Sequence, residues 1–172
     1  MTEQQAYDAV KKEADVKPKP SDRRNTVQFR VMRDAISKAK EYKQNGGAML
    51  SQEFVDDWAD ALESGDYEQG QYKLYHKNKA NLKEDYCCLG VACVVLGVWE
   101  NDIHDYSMPE SQYYTNKTKR HSEDSIIEIP RMLVSSDHTG GPGTIGDRLA
   151  TCNDKGWSFS SIAKFVRRYL GV

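Results

Sequence analysis

The sequence predicts a helix-dominated α+β fold, with four to five helices around one buried central segment and short strands beside it. The first observation is the run of residues 86–97, which holds no charged residue in a chain that is 29% charged. Small and apolar residues on every side of this run indicate burial all round. The second observation is that apolar residues recur at spacings of three and four on both sides of the run. We therefore expect residues 86–98 to form the core and the flanking helices to cover it.

The length of 172 residues is enough for one domain with its own core. Pro18 and Pro20 disfavour a continuous helix near the N-terminus and favour an extended linker. We expect residues 1–22 to form an N-terminal arm and residues 23–172 to form a single globular domain. Residues 100–128 are predicted to be a long loop insertion, and long loops in compact domains are often functional.

Two helices are predicted before the central run. The first begins at about Thr26 and ends at Gly46 and Gly47, where left-handed backbone angles cost little. The second has Ser51 as its N-cap and ends at Gly65. Its expected core stripe is Phe54, Trp58, Ala61 and Leu62.

The remaining elements are shorter. We expect a strand at residues 72–75 and a turn at residues 78–85. The central run is predicted to be extended at Tyr86 and helical from Cys88. A further helix is expected at residues 145–152, then a turn at residues 153–156 and a last helix capped by Ser158.

Charge and composition limit the classes of function that are expected for this protein. The net charge of −2 gives no overall electrostatic reason to expect nucleic acid, so direct DNA binding is not expected. The charge is uneven, since residues 46–110 hold four Lys or Arg against thirteen Asp or Glu. No apolar run is long enough to span a bilayer, and the N-terminus lacks the pattern of a signal peptide. The four cysteines do not resemble a secreted disulfide framework, which favours a cytoplasmic protein without a membrane partner.

Three sequence motifs occur between residues 58 and 163 of the chain. They are Trp58-x-x-Ala61-Leu62-x-Ser64-Gly65-x-Tyr67-x-Gln69, Tyr86-Cys87-Cys88-Leu89-Gly90-Val91-Ala92-Cys93 and Asn153-Asp154-x-Gly156-x-Ser158-Phe159-x-x-Ile162-Ala163. In this order they resemble a family of small uncharacterised proteins of tailed bacteriophages and their bacterial hosts. The resemblance covers about residues 51–170, and the chain departs from it at residues 100–128 and 139–146. It implies a phage-type protein that works in the host cytoplasm, and it brings no activity with it.

The predicted insertion contains the strongest candidate for a binding site. Its aromatic and cationic residues combine stacking faces with cationic donors, a chemistry that suits a nucleotide. The predicted ligand-binding residues are Tyr113, Tyr114, Lys117, Lys119, Arg120 and His121. We therefore expect a non-enzymatic accessory protein that binds a host protein or a small nucleotide-like ligand, such as a signal of host defence. No cofactor and no metal is expected, because the cysteine spacing does not match known zinc sites.

Two alternatives remain open at this stage. Cys87 and Cys88 lie where a strand meets a helix, a position that lowers the pKa of a thiol. A cysteine-dependent hydrolase or transferase would use one of them as nucleophile, with His121 and Asp154 as further members of the catalytic set. In the other alternative, the protein is an assembly or structural protein, and its arm of residues 1–22 mediates the assembly. A homo-oligomer is compatible with both alternatives.

Overall fold

A computed structural model describes residues 23–98, 130–133 and 143–172. The described helices are α1 (Arg23–Gln44), α2 (Gln52–Glu63), α3 (Cys88–Val95), α4 (Ile145–Asp154) and α5 (Phe159–Tyr169). Two strands, β1 (Tyr75–Lys77) and β2 (Glu84–Tyr86), form a small antiparallel sheet. The predicted helix-dominated α+β fold is confirmed. The predicted arm and the predicted insertion lie outside the described residues.

The short helix α3 forms the centre of the core. All residues from Cys88 to Cys93 are buried, as the uncharged central run predicted, whereas residues 94–97 at the end of that run are only partly buried. Trp58 of α2 is fully buried against α3, and its Nε1 donates a hydrogen bond to the carbonyl oxygen of Cys88 at 2.9 Å. Gly90 faces the carbonyl oxygen of Leu74 so closely that any Cβ would collide with it. The small residue at this position therefore lets the hairpin approach α3.

The other helices pack in pairs around α3. Helix α2 packs along α5, and α1 packs mainly along α4. The α2–α5 pair is joined at the surface by Arg167, which forms ion pairs with Asp60 at 2.5 Å and Glu63 at 2.6 Å. Among the described residues, no helix is long and apolar enough to cross a bilayer.

Strand β2 lies between two other pieces of chain. On one side it pairs with β1, in the register that sets His76 opposite Asp85. On the other side Gln69 forms a parallel bridge with Tyr86, and the amide of Gly70 donates to the carbonyl oxygen of Tyr86 at 2.8 Å. The chain that precedes α3 is therefore held from both sides before the helix begins.

The structure confirms the predicted caps and corrects several boundaries. The hydroxyls of Ser51 and Ser158 each accept a hydrogen bond from a backbone amide three residues later. The strand predicted at residues 72–75 is wrong, because Tyr72 has a φ of 68°, which interrupts extended chain, and β1 begins three residues later. The turn predicted at residues 78–85 is too long, since its last two residues belong to β2.

Two further expectations are corrected at α2 and α4. The fully buried stripe of α2 includes Val55 and Ala59, whereas the predicted Phe54 and Ala61 are only partly buried. The turn predicted to start at residue 153 starts later, because α4 continues to Asp154 before the chain turns near Gly156.

Candidate functional site

The predicted ligand-binding residues lie outside the described part of the chain. They are Tyr113, Tyr114, Lys117, Lys119, Arg120 and His121. The same holds for the arm that an assembly function would use. What the structure describes is the N-terminus of α3, the polar residues around it, and a cleft on another side of the core.

Cys87 is the N-cap residue of α3. Its backbone is extended, with φ −81° and ψ 169°, and its Sγ accepts a hydrogen bond from the amide of Gly90 at 3.4 Å. A hydrogen bond from the thiol of Cys88 lowers the pKa of Cys87, and the amides of Gly90 and Leu89 add to this effect. Burial and the negative charge of Asp154 act in the opposite direction. The thiolate form of Cys87 is therefore stabilised, but this thiol is buried inside the protein.

The other three thiols are kept protonated by burial. Burial raises the pKa of Cys88 well above its usual value, and the Cys88 thiol lies 3.6 Å from the carbonyl oxygen of Leu149. Burial also raises the pKa of Cys93 and of Cys152 to about 12. All four cysteines are free thiols. Of the two candidate nucleophiles, the structure favours Cys87 over Cys88.

Asp154, which the cysteine alternative assigned to the catalytic set, raises the pKa of Cys87 through its negative charge. Its Oδ1 accepts a hydrogen bond from the amide of Tyr72 at 2.8 Å. This bond fixes Tyr72 in its left-handed backbone conformation, with 67% of the side chain exposed. Asp154 thus ties α4 to the chain that leads into the hairpin. His121, the fourth member of that predicted set, lies outside the described residues.

A histidine and a carboxylate share one face of the hairpin with Cys87. The Nδ1 atom of His76 lies 3.2 Å from Oδ2 of Asp85, directly across the two strands. The amide of Cys87 continues the ladder by donating to Leu74 at 3.1 Å. Because side chains alternate along a strand, His76, Asp85 and Cys87 point to the same side. The sequence alone did not reveal this pair, since only the register of the hairpin brings His76 and Asp85 together.

The three sequence motifs meet at Gln69. Its Nε2 donates to Oδ1 of Asn153 at 3.0 Å and to the carbonyl oxygen of Trp157 at 2.7 Å. Its Oε1 accepts from the amide of Phe159 at 3.1 Å. Asn153 is fully buried and donates in turn to the carbonyl oxygen of Gly70 at 2.7 Å. The motif residues therefore form a polar network that joins exposed Gln69 to buried Asn153, and their arrangement serves stability.

A cleft of about 340 Å³ lies between the end of α1, the start of α2 and the end of α3. Its lining is mainly apolar and includes two aromatic rings and one guanidinium group. The lining residues are Tyr42, Ala48, Met49, Leu50, Ser51, Phe54, Leu96, Pro130 and Arg131. Sequence reasoning missed this cleft, because the lining comes from four separate stretches of chain that no local pattern connects.

The two rings of the cleft are held in place by their neighbours. The ring of Phe54 stacks on buried Trp58 with 5.8 Å between centroids and 18° between planes. The ring of Tyr42 lies against Gly47, where any side chain would collide with it. Arg131 is exposed, and it adds a positive charge at the edge of the cleft. The site is therefore able to contact a flat ring and an anionic group at the same time.

Comparison with known proteins gives one match. The model of a family described as a domain of unknown function, DUF8296, matches residues 50–170. This stretch includes all three motifs and most of the cleft, and it leaves out the predicted arm and all of α1. No curated protein and no solved structure gives a significant match to the chain. The match covers well over half of the chain, and the protein therefore belongs to the DUF8296 family.

Proposed function

We propose that this protein is a non-enzymatic accessory protein of the tailed-phage type that binds a small nucleotide-like ligand. The single observation that carries the proposal is the cleft at the end of α3. Its volume of about 340 Å³ falls within the range of small-molecule sites, which are mostly apolar with a few polar groups. In a host cell, sequestering such a ligand would remove a nucleotide signal of host defence.

The chemistry of the cleft fits a nucleotide better than a purely apolar molecule. The rings of Tyr42 and Phe54 provide stacking surfaces, and stacking of a base on an aromatic ring contributes about 1–3 kcal/mol. Arg131 provides a guanidinium, whose planar donors match a phosphate in a bidentate arrangement. A flat base joined to a phosphate would use both features.

The position of the cleft in the chain supports including the predicted ligand-binding residues in the same site. Leu96 and Pro130 both line the cleft, and they stand at either side of residues 99–129. That segment carries the predicted residues from Tyr113 to His121. The proposal therefore joins the aromatic and cationic residues of the insertion to the described lining.

Native mass spectrometry tests the proposal directly. We expect the protein purified from cells to retain a small mass that mild denaturation releases. The variant Arg131→Glu should lose this mass, because it repels an anionic ligand. The control Lys79→Glu reverses an exposed charge on the hairpin, away from the cleft lining, and should keep it. A wild-type protein without a bound mass, and without binding of added nucleoside monophosphates, would contradict the proposal. A co-purified polypeptide would instead favour the host-protein form of binding.

The cysteine-dependent hydrolase or transferase is a second candidate, supported by the lowered pKa of Cys87, although the charge of Asp154 acts against this lowering. Burial of the thiol argues for a structural capping function instead. Alkylation with iodoacetamide at neutral pH separates the two possibilities. We expect all four thiols to be protected in the folded protein. Rapid and selective modification of Cys87 would favour the enzyme over the binding protein.

A further inference from the structure

The net charge of the protein is small, but positive and negative charges are strongly separated between two of its helices. Helix α1 holds seven Lys or Arg and two acidic residues, a net charge of +5. Helix α2 holds five acidic residues and no basic ones, a net charge of −5. The two helices pack mainly on different partners, since α1 lies along α4 and α2 lies along α5. The net charge of the whole protein, from which DNA binding was not expected, therefore does not describe the charge on the surface of α1.

The outer face of α1 is a row of exposed cationic and neutral polar side chains. Arg30, Arg33 and Lys40 follow one another at spacings of three and seven, which places them on one side of a helix. Ser37 and Gln44 lie on the same side and are also exposed. Within the described part of the chain, neither Arg30 nor Arg33 takes part in an ion pair. This row is called the α1 cationic face below.

The acidic residues of α1 lie beside this row. Glu41, at its edge, forms an ion pair with Lys38 at 3.4 Å, and Asp34 is partly buried. The carboxylates of α1 therefore leave much of the cationic face uncompensated.

The opposite side of α1 fixes the helix on the core. Met32, Ala35 and Ala39 are buried, and the indole Nε1 of Trp157 donates to the carbonyl oxygen of Gln28 at 3.0 Å. The cationic side chains thus project from a rigid helix. At 1.5 Å per residue, Arg30 and Lys40 are about 15 Å apart along the axis, and Lys43 extends the exposed cations by about one further turn.

Two kinds of anionic partner would fit such a row of cations: a protein surface with carboxylates, or the backbone of a nucleic acid. Single carboxylates on a protein surface gain little from exposed ion pairs, because solvent screens the charges and ordering long side chains costs entropy. A nucleic-acid backbone differs, because every phosphate neutralised by a Lys or Arg releases condensed counterions. The α1 cationic face also lacks an apolar centre of the kind that anchors protein interfaces. We propose that the α1 cationic face binds the phosphate backbone of duplex nucleic acid without regard to sequence.

This binding surface is separate from the proposed ligand cleft. All of α1 precedes residue 50, where the family match begins, so the surface lies outside the matched residues. The only residue of α1 that lines the cleft is Tyr42, near its C-terminus. Loss of one activity is therefore not expected to remove the other.

Fluorescence anisotropy with a labelled 20-base-pair DNA duplex, from about 20 to 200 mM KCl, tests the proposal. The logarithm of the binding constant should fall linearly with the logarithm of salt, with a slope of about −1.8 for the two phosphate contacts of Arg30 and Arg33. The double variant Arg30→Glu/Arg33→Glu should reduce the size of the slope by about 1.8 and weaken binding at least about tenfold. The control Lys79→Glu/Arg168→Glu makes the same total change of charge at exposed positions outside α1 and should bind like the wild type.

Other outcomes would overturn the proposal. Absence of binding at 20 mM KCl would do so, and so would a salt slope that is the same in the wild type and the Arg30→Glu/Arg33→Glu variant. Equally tight binding of poly-glutamate would reassign the surface to an acidic protein. Circular dichroism melting curves establish that each variant is folded before its binding is compared.

Discussion

The side-chain amides of Gln69 and Asn153 are joined by a hydrogen bond, from Nε2 to Oδ1 at 3.0 Å, across 84 positions of sequence. This bond connects the loop after α2 to the C-terminal end of α4. Gln69 also binds backbone groups at Trp157 and Phe159, so that it holds the entrance of α5 as well. The sequence motifs are therefore explained first by folding, since they supply one shared polar network.

We predict that Gln69→Ala and Asn153→Ala each lower the free energy of unfolding by about 1–3 kcal/mol, because each leaves buried polar groups without a partner. The double variant should lose less than the sum of the two, with a coupling energy of about 0.5–3 kcal/mol. Urea denaturation of the four proteins measures this cycle. The control is the same cycle of alanine variants at the exposed ion pair of Lys38 and Glu41. Its coupling energy should be less than about 1 kcal/mol. Strict additivity at Gln69 and Asn153 would refute a shared network.

Gly90 tests how closely the hairpin approaches α3. We predict that Gly90→Ala lowers the free energy of unfolding by about 1–3 kcal/mol, because its methyl group would collide with the carbonyl oxygen of Leu74. Thermal or urea denaturation measures the change. In the control Gly171→Ala, the added methyl group meets the end of the flexible Gln52 side chain, which is able to move. Equal stability of Gly90→Ala and the wild type would contradict the described packing.

The buried thiols predict a loss of stability at high pH. The pKa of Cys152 is raised from 9.0 to about 12 in the folded protein, so between these values the folded state binds more protons than the unfolded state. Stability from this group is complete below pH 9 and is lost as the pH rises towards 12, by up to about 1.4 kcal/mol per pH unit. We expect Cys152→Ala to show a shallower decline in urea denaturation from pH 9 upwards. The exposed control Ser37→Ala should follow the wild type, and a parallel decline in Cys152→Ala would show that this thiol makes no such contribution.

Residues of the predicted insertion give a further test of ligand binding. The triple variant Tyr114→Ala/Lys119→Ala/Arg120→Ala should abolish retention of the small ligand, because it removes a stacking face and two cationic donors. Its free energy of unfolding should remain within about 0.5 kcal/mol of the wild type, as for surface substitutions in general. Native mass spectra and urea denaturation provide the two measurements. Unchanged ligand retention would remove these residues from the site.

Much of the fold followed from local patterns in the sequence. The uncharged central run, the apolar spacing on either side of it and the caps Ser51 and Ser158 are read from neighbouring residues, and the structure confirms them. The position of β1 was not predictable in the same way. It depends on Tyr72, whose left-handed backbone is fixed by a hydrogen bond from its amide to Asp154, 82 positions away. A tertiary contact of this kind leaves no local signal.

The described candidate sites were less predictable than the fold. The capping position of Cys87 followed from the change from strand to helix, and its burial followed from the uncharged central run. The pairing of His76 with Asp85 required the register of the hairpin, and the cleft required four stretches of chain to meet. Such sites are created by packing, so a single sequence contains their residues without showing which of them are neighbours.

Methyl NMR of methionine-labelled protein tests nucleotide binding at the cleft most directly. Met49 lines the cleft, whereas Met32 is a buried residue of α1 and serves as a control in the same spectrum. On addition of nucleoside monophosphates and cyclic dinucleotides, we predict a saturable shift of the Met49 signal with at least one ligand and no shift of Met32. The Arg131→Glu variant should lose this response. A Met49 signal that does not move with any of these ligands at millimolar concentration would contradict the proposed function.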